Sequence, residues 1–225
     1  MFDKSLAKKC EAYMLECTEN DSAHDLFHIY RVLNISMDIA RYETNVDLDV
    51  LILSCILHDI GRNAQLKNPK LCHAEVGAQI AYDFLVNEGL DTERAMAIKS
   101  AIAAHRYRSK HTPQSIEAKI LFDADTIDAT GAMGIARSLL YEGNLAIPLY
   151  NVDSEGVVIS GTTKQSDSFL REYEFKLKYL YERLYTTRAK EIAAARRQTA
   201  QQFYNALVNE INSSHMPLDK VFNQL

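Results

Sequence analysis

The dipeptide His58-Asp59 places an imidazole beside a carboxylate at the end of an apolar run, Val50 to Leu57. Burying either group is costly unless it has a partner. Where a helix ends, both side chains can face one way and offer nitrogen and oxygen ligands to a divalent cation. The structural alternative is that His58 caps the helix and Asp59 begins a turn. On these residues alone, the two interpretations are about equally favoured.

An upstream pair of histidines could add a ligand. His24 and His28 are four residues apart, which is about one helical turn, so both can face the same way. Either could bind a cation. Considered alone, His28 is more ordinarily interpreted as a core or surface histidine whose ring nitrogens have hydrogen-bond partners.

Three aspartates lie in an apolar stretch further along the chain. Asp125 and Asp128 are three residues apart and share a helical face, whereas Asp123 points elsewhere. Unpaired carboxylates are rarely buried, so a bound cation would explain their presence. The alternative is that Asp125 binds metal while Asp128 forms a salt bridge with a neighbouring arginine.

The order of these residues resembles the H…HD…D pattern of the HD superfamily, a group of metal-dependent phosphohydrolases with a helical core. The resemblance is carried by HxxRV, LHDIG and DADxxDAxGAxGIAR and runs from about His24 to Arg137. Together, the three motifs look most like those of bacterial HD hydrolases of the YedJ/YpgQ type. The resemblance implies four metal ligands, His28, His58, Asp59 and Asp125, with Asp59 and His58 also the predicted catalytic residues.

Some members of the superfamily place a Glu shortly after the His-Asp pair, where it serves the nucleophilic water. Here Arg62 follows Gly61, and no Glu is near in the sequence. We therefore expect a metal-bound water, with Asp59 or a nearby histidine as its proton acceptor. The predicted cofactor is one divalent ion, and the ligand types do not decide between Mn²⁺, Mg²⁺, Co²⁺, Ni²⁺ and Fe²⁺.

Two further histidines, His73 and His105, resemble positions that hold a second metal in binuclear HD proteins. The Gly-Tyr-Pro motif of one binuclear class does not occur, and Arg106 rather than a second histidine follows His105. We therefore predict that both histidines contact the substrate or support the ligands around the metal. A binuclear phosphodiesterase or a di-iron oxygenase is the alternative.

A phosphorylated substrate needs cationic donors, and the planar fork of arginine suits phosphate. Arg62 and Arg106 are the first candidates because each is near a site histidine in the sequence. Arg31 and Asp128 complete the predicted substrate-binding set. The ordinary alternative for the arginines is a solvated helix face.

The composition favours a helical protein. The chain has 225 residues, of which 47% are hydrophobic, and only 8 Gly and 4 Pro are available for turns. A net charge of −5 gives no sign of a nucleic-acid-binding stripe. The cysteines form no C-x-x-C pair, no signal peptide is recognisable, and no apolar run could span a bilayer, so we predict a cytoplasmic protein without a membrane partner.

Hydrophobic periodicity places these residues on a series of helices. Asp47 is expected to cap the apolar helix and Gly61 to end it, with a loop over 62–71. A short β-hairpin is expected around 145–162, within an irregular insertion at 143–163. The remaining helices are predicted over 2–18, 26–42, 73–88, 91–106, 114–128, 130–142, 166–185 and 186–213.

The sequence therefore predicts an all-α HD-type bundle, a single domain over 1–225 with its metal-binding core at about 22–140 and long C-terminal helices at about 165–213. The predicted activity is hydrolysis of a phosphate ester or phosphoanhydride. A nucleotide is the leading substrate, with nucleoside triphosphate cleavage to monophosphate and pyrophosphate as one form. A non-catalytic regulator that binds a nucleotide is the alternative from another class. No nucleic-acid partner is expected, and a homodimer is left open.

Overall fold

The computed structural model describes residues 3–17, 26–106, 111–162 and 167–223. The fold is helical, with one two-stranded antiparallel sheet in the described ranges, so the predicted all-α class is confirmed. Backbone proximity divides the chain into two compact units, residues 1–128 with 184–190, and residues 129–183 with 191–225. The assignment of the whole chain to a single HD-type domain stays a prediction.

The first unit is built from helices whose bounds lie close to the predicted ones, except for one short helix in the segment predicted as a loop. Its helices are α1 (Lys4–Cys17), α2 (Leu26–Ala40), α3 (Leu48–Leu57), α4 (Arg62–Lys67), α5 (His73–Asn87), α6 (Thr92–Ala104) and α7 (Ile116–Asp128). In the described part of the chain, no helix combines the length and the apolar character needed to cross a bilayer.

Helix α3 lies at the centre of this unit and packs against α1, α2, α6 and α7. Its sequence is apolar on nearly every side, and it is buried from Val50 to Leu57 except at Ile52. The Asp47 carboxylate caps the helix by accepting hydrogen bonds from the backbone N–H groups of Asp49 and Val50, at 3.0 and 3.1 Å. The run of apolar residues thus predicts the element that carries His58 and Asp59 at its end.

The segment after α3 differs from the prediction. The expected loop over 62–71 contains helix α4, and Gly61 is not a left-handed C-cap, because its φ is −83°. A Cβ at Gly61 would lie 2.2 Å from the His73 carbonyl oxygen and 2.5 Å from the backbone nitrogen of Gly77. The glycine is therefore required for the close approach of α4 to α5, not for a positive φ.

Residues 184–190, which include the start of helix α10 (Thr187–Ser214), complete the first unit. The buried Asp123 carboxylate on α7 accepts hydrogen bonds from the backbone N–H groups of Tyr185 and Thr186, the shortest being 2.7 Å. The Thr186 hydroxyl donates to the same carboxylate at 2.7 Å. Asp123 thus has a structural role, in agreement with the prediction that it points away from the other aspartates.

The second unit holds the predicted hairpin, in which Asn151 pairs with Ile159 and Val152 with Val158. The predicted helix over 166–185 is interrupted at Lys176, where φ is −135°, and continues as a 3-10 helix. The last helix, α11, was not predicted. The elements are α8 (Gly131–Asn144), β1 (Asn151–Val152), β2 (Val158–Ile159), α9 (Phe169–Phe175), the 3-10 helix (Leu177–Glu182), α10 (Thr187–Ser214) beyond Lys190, and α11 (Leu218–Phe222).

Candidate metal centre

Four histidines and two aspartates of the first unit meet between its helices. His28 lies on α2, His58 and Asp59 follow α3, and Asp125 lies on α7. His73 begins α5, and His105 directly follows α6. All four histidines are buried, with at most 4% of the surface of each residue exposed. His24, the other candidate of the upstream pair, is outside the described residues.

One face of this cluster is formed by the four predicted metal ligands. The Nε2 atom of His28 is 3.3 Å from both the Oδ1 atom of Asp125 and the Nε2 atom of His58. The Oδ2 atom of Asp59 is 3.5 Å from the Nε2 atom of His28 and 3.7 Å from that of His58. The ligand atoms of His28, His58 and Asp125 are close enough together to hold one ion.

The second oxygen of Asp59 faces the other two histidines. Its Oδ1 atom is 3.6 Å from the Nε2 atom of His105 and 3.7 Å from that of His73. His58, Asp59 and His105 form a second group whose ligand atoms could hold an ion. The Asp59 carboxylate therefore lies between two pairs of histidines, with one oxygen towards each pair.

Every imidazole in the cluster has a hydrogen-bond acceptor at Nδ1. An acceptor there fixes the ring proton on Nδ1 and leaves the Nε2 lone pair available, as in metal-binding histidines. The lone pairs of His28, His58 and His105 are therefore available in the cluster, because a carboxylate or a backbone carbonyl can only accept. The acceptors are Asp128 Oδ2 for His28 (2.8 Å), the Cys55 carbonyl for His58 (2.8 Å), Gln65 Oε1 for His73 (2.7 Å) and the Ile102 carbonyl for His105 (2.6 Å).

Three atoms of the cluster are buried without any hydrogen-bond partner: Asp59 Oδ1, His73 Nε2 and His105 Nε2. Buried polar atoms nearly always have a partner. With Nδ1 carrying the ring proton, all three are electron-pair donors and cannot satisfy one another. Two imidazole nitrogens and a carboxylate oxygen are a donor set that suits a divalent cation, so these residues fit a metal ion.

The charge states of the cluster also suit a cation. Burial raises the pKa of Asp59, but the Arg62 guanidinium and His58 outweigh it and hold that pKa well below its usual range. Burial also raises the pKa of Asp125, but the hydrogen bond from His28 and the charge of His28 outweigh it, so that the pKa of Asp125 is lowered overall. Burial lowers the pKa of His58 to about 4 and that of His73 to about 3. At neutral pH the carboxylates are ionised and these imidazoles neutral, which is the metal-binding form.

The three arginines predicted to bind substrate each contact a different side chain. Arg62 donates from Nε to Asp59 Oδ2 at 2.5 Å. Arg31 donates from Nε and Nη2 to the two oxygens of Asp128, at 2.7 and 3.1 Å. Arg106 approaches the thiol of Cys72 at 3.6 Å. All three arginines lie in the first unit, and the side chains of Arg31 and Arg62 are 29% and 26% exposed.

Asp128 does not have the geometry of a substrate contact. It is 1% exposed, and its two oxygens accept hydrogen bonds from His28 and Arg31. This arrangement favours the alternative in which Asp128 pairs with an arginine and holds His28 in place. Gln65 was not predicted for the site because it lies in the segment interpreted as a loop.

Residues 26–130 match the family model described as the HD domain. This chain carries an HD domain. The YpgQ protein of Bacillus subtilis (strain 168) is 29% identical over 198 residues, which cover 86% of this chain and 87% of YpgQ. A crystal structure of YpgQ in complex with ADP superimposes with a TM-score of 0.68 at 27% identity, covering 91% of this chain and 97% of that one.

Two other relatives extend the comparison. The crystal structure of a predicted HD superfamily hydrolase from an uncultured Thermotogales bacterium has a TM-score of 0.62 at 27% identity, with 90% of this chain and 91% of that chain covered. The 3'-5' exoribonuclease YhaM of Halalkalibacterium halodurans is 27% identical over 146 residues. That match covers 56% of this chain but only 46% of YhaM. The HD match of this chain and its similarity to these two proteins support a hydrolase in general terms.

Proposed function

We propose that this protein is a metal-dependent phosphohydrolase that acts on a nucleotide. One observation carries the proposal: four buried imidazoles, each with Nδ1 bonded to an acceptor, surround a carboxylate and leave three buried electron-pair donors without partners. The presence of an HD domain supports a metal-dependent phosphohydrolase in general. The complex of the relative YpgQ with ADP supports a nucleotide as the substrate.

His28, His58, Asp59 and Asp125 would hold one divalent ion, and their proximity supports this set. A divalent ion bound there would polarise a phosphate oxygen and lower the pKa of an attacking water. The protein's own contribution is to hold these ligands in place. Asp128 fixes the ring of His28, and the Cys55 carbonyl fixes the ring of His58.

The protein also offers groups for the substrate and for the proton of the attacking water. The guanidinium groups of Arg62 and Arg106 would donate hydrogen bonds to phosphate oxygens. Arg31 is anchored on Asp128 and is partly exposed, so it could add a further cationic contact. The unpartnered Oδ1 atom of Asp59 and the Nε2 atom of His105 can each accept a proton from water.

The test measures metal content and product release together. The purified chain is analysed for bound metals, and release of phosphate and pyrophosphate is followed with Mn²⁺ on a panel of nucleoside mono-, di- and triphosphates and a short oligoribonucleotide. His58→Ala should abolish turnover and lower metal content, whereas His111→Ala should change neither, because its side chain is 54% exposed. Full turnover by a metal-bound His58→Ala protein would reject the ligand assignment.

A binuclear enzyme is the second candidate, because the two oxygens of Asp59 face different histidine pairs. A second cation would lie against Asp59 Oδ1, His73 and His105. About two metals per chain, falling to one in His105→Ala, would favour a binuclear phosphodiesterase or di-iron oxygenase. Saturable nucleotide binding with no product in any condition would favour the regulator.

A further inference from the structure

The hydrogen bond between Gln65 and His73 differs from the other three that fix imidazoles of the cluster. Its acceptor is a neutral amide oxygen, 2.7 Å from the Nδ1 atom of His73. His58 and His105 bond to carbonyls three residues earlier in their own segments, and His28 bonds to a carboxylate. Of these four acceptors, only the amide can present either an acceptor or a donor by rotating its end group. The side chain at position 65 therefore decides which tautomer of His73 is favoured.

The short helix α4 is held so that Gln65 can reach His73. Gly61 allows the start of α4 to touch the backbone of α5 at His73 and Gly77. The side-chain amide of Asn63 donates to the Cys17 carbonyl at 2.6 Å, which ties α4 to α1. Arg62, three residues before Gln65, bonds to Asp59. One helix therefore contacts both a carboxylate and an imidazole of the cluster.

We propose that Gln65 is a positioning residue, which fixes the Nδ1–H tautomer of His73 and keeps the Nε2 lone pair directed at Asp59 Oδ1. In this tautomer, neutral His73 cannot donate a hydrogen bond from Nε2 to a phosphate oxygen. It can accept a proton from water or bind a cation. Its functional importance rests on the proposed hydrolase, in which His73 supplies an electron pair at a position where the sequence predicts only a contact with the substrate.

The tautomer can be measured independently of activity. Long-range ¹H–¹⁵N correlation spectra of the full chain, treated with a chelator at neutral pH, report which nitrogen of each of the 7 histidines is protonated. His73→Asn assigns the signals of His73. Gln65→Glu keeps an acceptor oxygen, Gln65→Met removes it at similar length, and Gln65→Asn withdraws the amide by one carbon. Gln79→Met, on the exposed side of α5, is the matched control.

We expect His73 to carry its proton on Nδ1 in the unsubstituted chain, in Gln79→Met and in Gln65→Glu. In Gln65→Met and Gln65→Asn, a large part of the population should move to the Nε2–H form. An unchanged His73 pattern in either folded variant would overturn the proposal, as would an Nε2–H majority in the unsubstituted chain. Two variants are used so that one that fails to fold does not prevent the measurement.

Turnover adds a second readout that separates this proposal from the function. Loss of a group that orients a site histidine typically costs about 10- to 100-fold in metal affinity or activity. We expect that loss in kcat for Gln65→Met, with most of the activity kept in Gln65→Glu. Equal turnover of Gln65→Met and the unsubstituted chain would refute the functional part. Absence of turnover in every chain would reject the hydrolase, while the spectra would still decide the role of Gln65.

Discussion

Replacement of Gly61 by alanine should disturb stability and the metal centre together. A Cβ at this position would lie 2.2 Å from the His73 carbonyl oxygen, 2.5 Å from the Gly77 nitrogen and 2.9 Å from the Gly77 Cα atom. All three are backbone atoms of α5, so no side-chain rotation can relieve the overlap. Helix α4 would have to move away from α5, and Arg62 and Gln65 would move with it.

The size of the effect follows from these distances. Ordinary van der Waals contact begins at 3.4 Å, so the overlap with the His73 oxygen is 3.4 minus 2.2, or about 1.2 Å. Overpacking a well-filled interior typically costs about 1–3 kcal/mol. We expect the upper end of that range, about 3 kcal/mol, because rigid backbone meets rigid backbone.

Urea unfolding followed by circular dichroism measures the loss in free energy of unfolding, and metal analysis of the same samples measures retention of the centre. Gly143→Ala is the matched control: Gly143 lies on α8, and an added Cβ would meet nothing within 4 Å. In a helix interior alanine is favoured over glycine by about 0.5–1 kcal/mol, so this variant should be unchanged or slightly stabilised. If Gly61→Ala unfolds at the same urea concentration as the unsubstituted chain, the close-approach argument is refuted.

Three further predictions follow from individual side chains. Asp128→Asn should weaken metal binding by about 10- to 100-fold, measured by competition with a chelating dye, because His28 loses its carboxylate acceptor; unchanged affinity would contradict the positioning role. Asp123→Asn should lower the free energy of unfolding by about 1–3 kcal/mol, since the buried acceptor of two N–H groups and a hydroxyl is replaced; an unchanged urea midpoint would contradict this. Burial, and then the charge of Glu172, raise the pKa of the buried Glu142 from its ordinary 4.5 to about 7, so this group lowers stability progressively as pH rises from 4.5 through 7. Glu142→Gln should therefore raise the free energy of unfolding at pH 8 by about 1–3 kcal/mol and leave it unchanged at pH 4; an equal effect at both pH values would count against the shift.

The parts of the fold that could be predicted are those with a local sequence pattern. The apolar run from Val50 to Leu57 predicts a central helix, because a helix that is apolar on every side can only be buried. The glycines and β-branched residues around Asn151 and Ile159 predict the hairpin. The order of the His and Asp residues resembles that of the HD superfamily, and it is this resemblance that predicts which side chains come together.

The features that could not be predicted depend on contacts between distant segments. Helix α4 has six residues, too few to show a hydrophobic period, and it is held by Asn63 and Arg62 through partners outside the helix. The contact of Gln65 with His73 depends on the approach of α4 to α5. That approach takes place at Gly61, and the sequence alone does not show that Gly61 lies against the backbone of α5. The helical period over 166–185 also gives no sign of the interruption at Lys176.

The bonds of Asp123 have a consequence for the order in which the protein is synthesised. The acceptor on α7 and its donor at Tyr185 are separated by 62 residues, and the segment 184–190 belongs to the same compact unit as the metal centre. At a translation rate of about 5–20 residues per second, roughly 3–12 s pass between the emergence of the two partners. During that interval the nascent metal-binding unit has a carboxylate without its permanent donors. A fragment ending at residue 130, although it contains the whole HD match, would never acquire them.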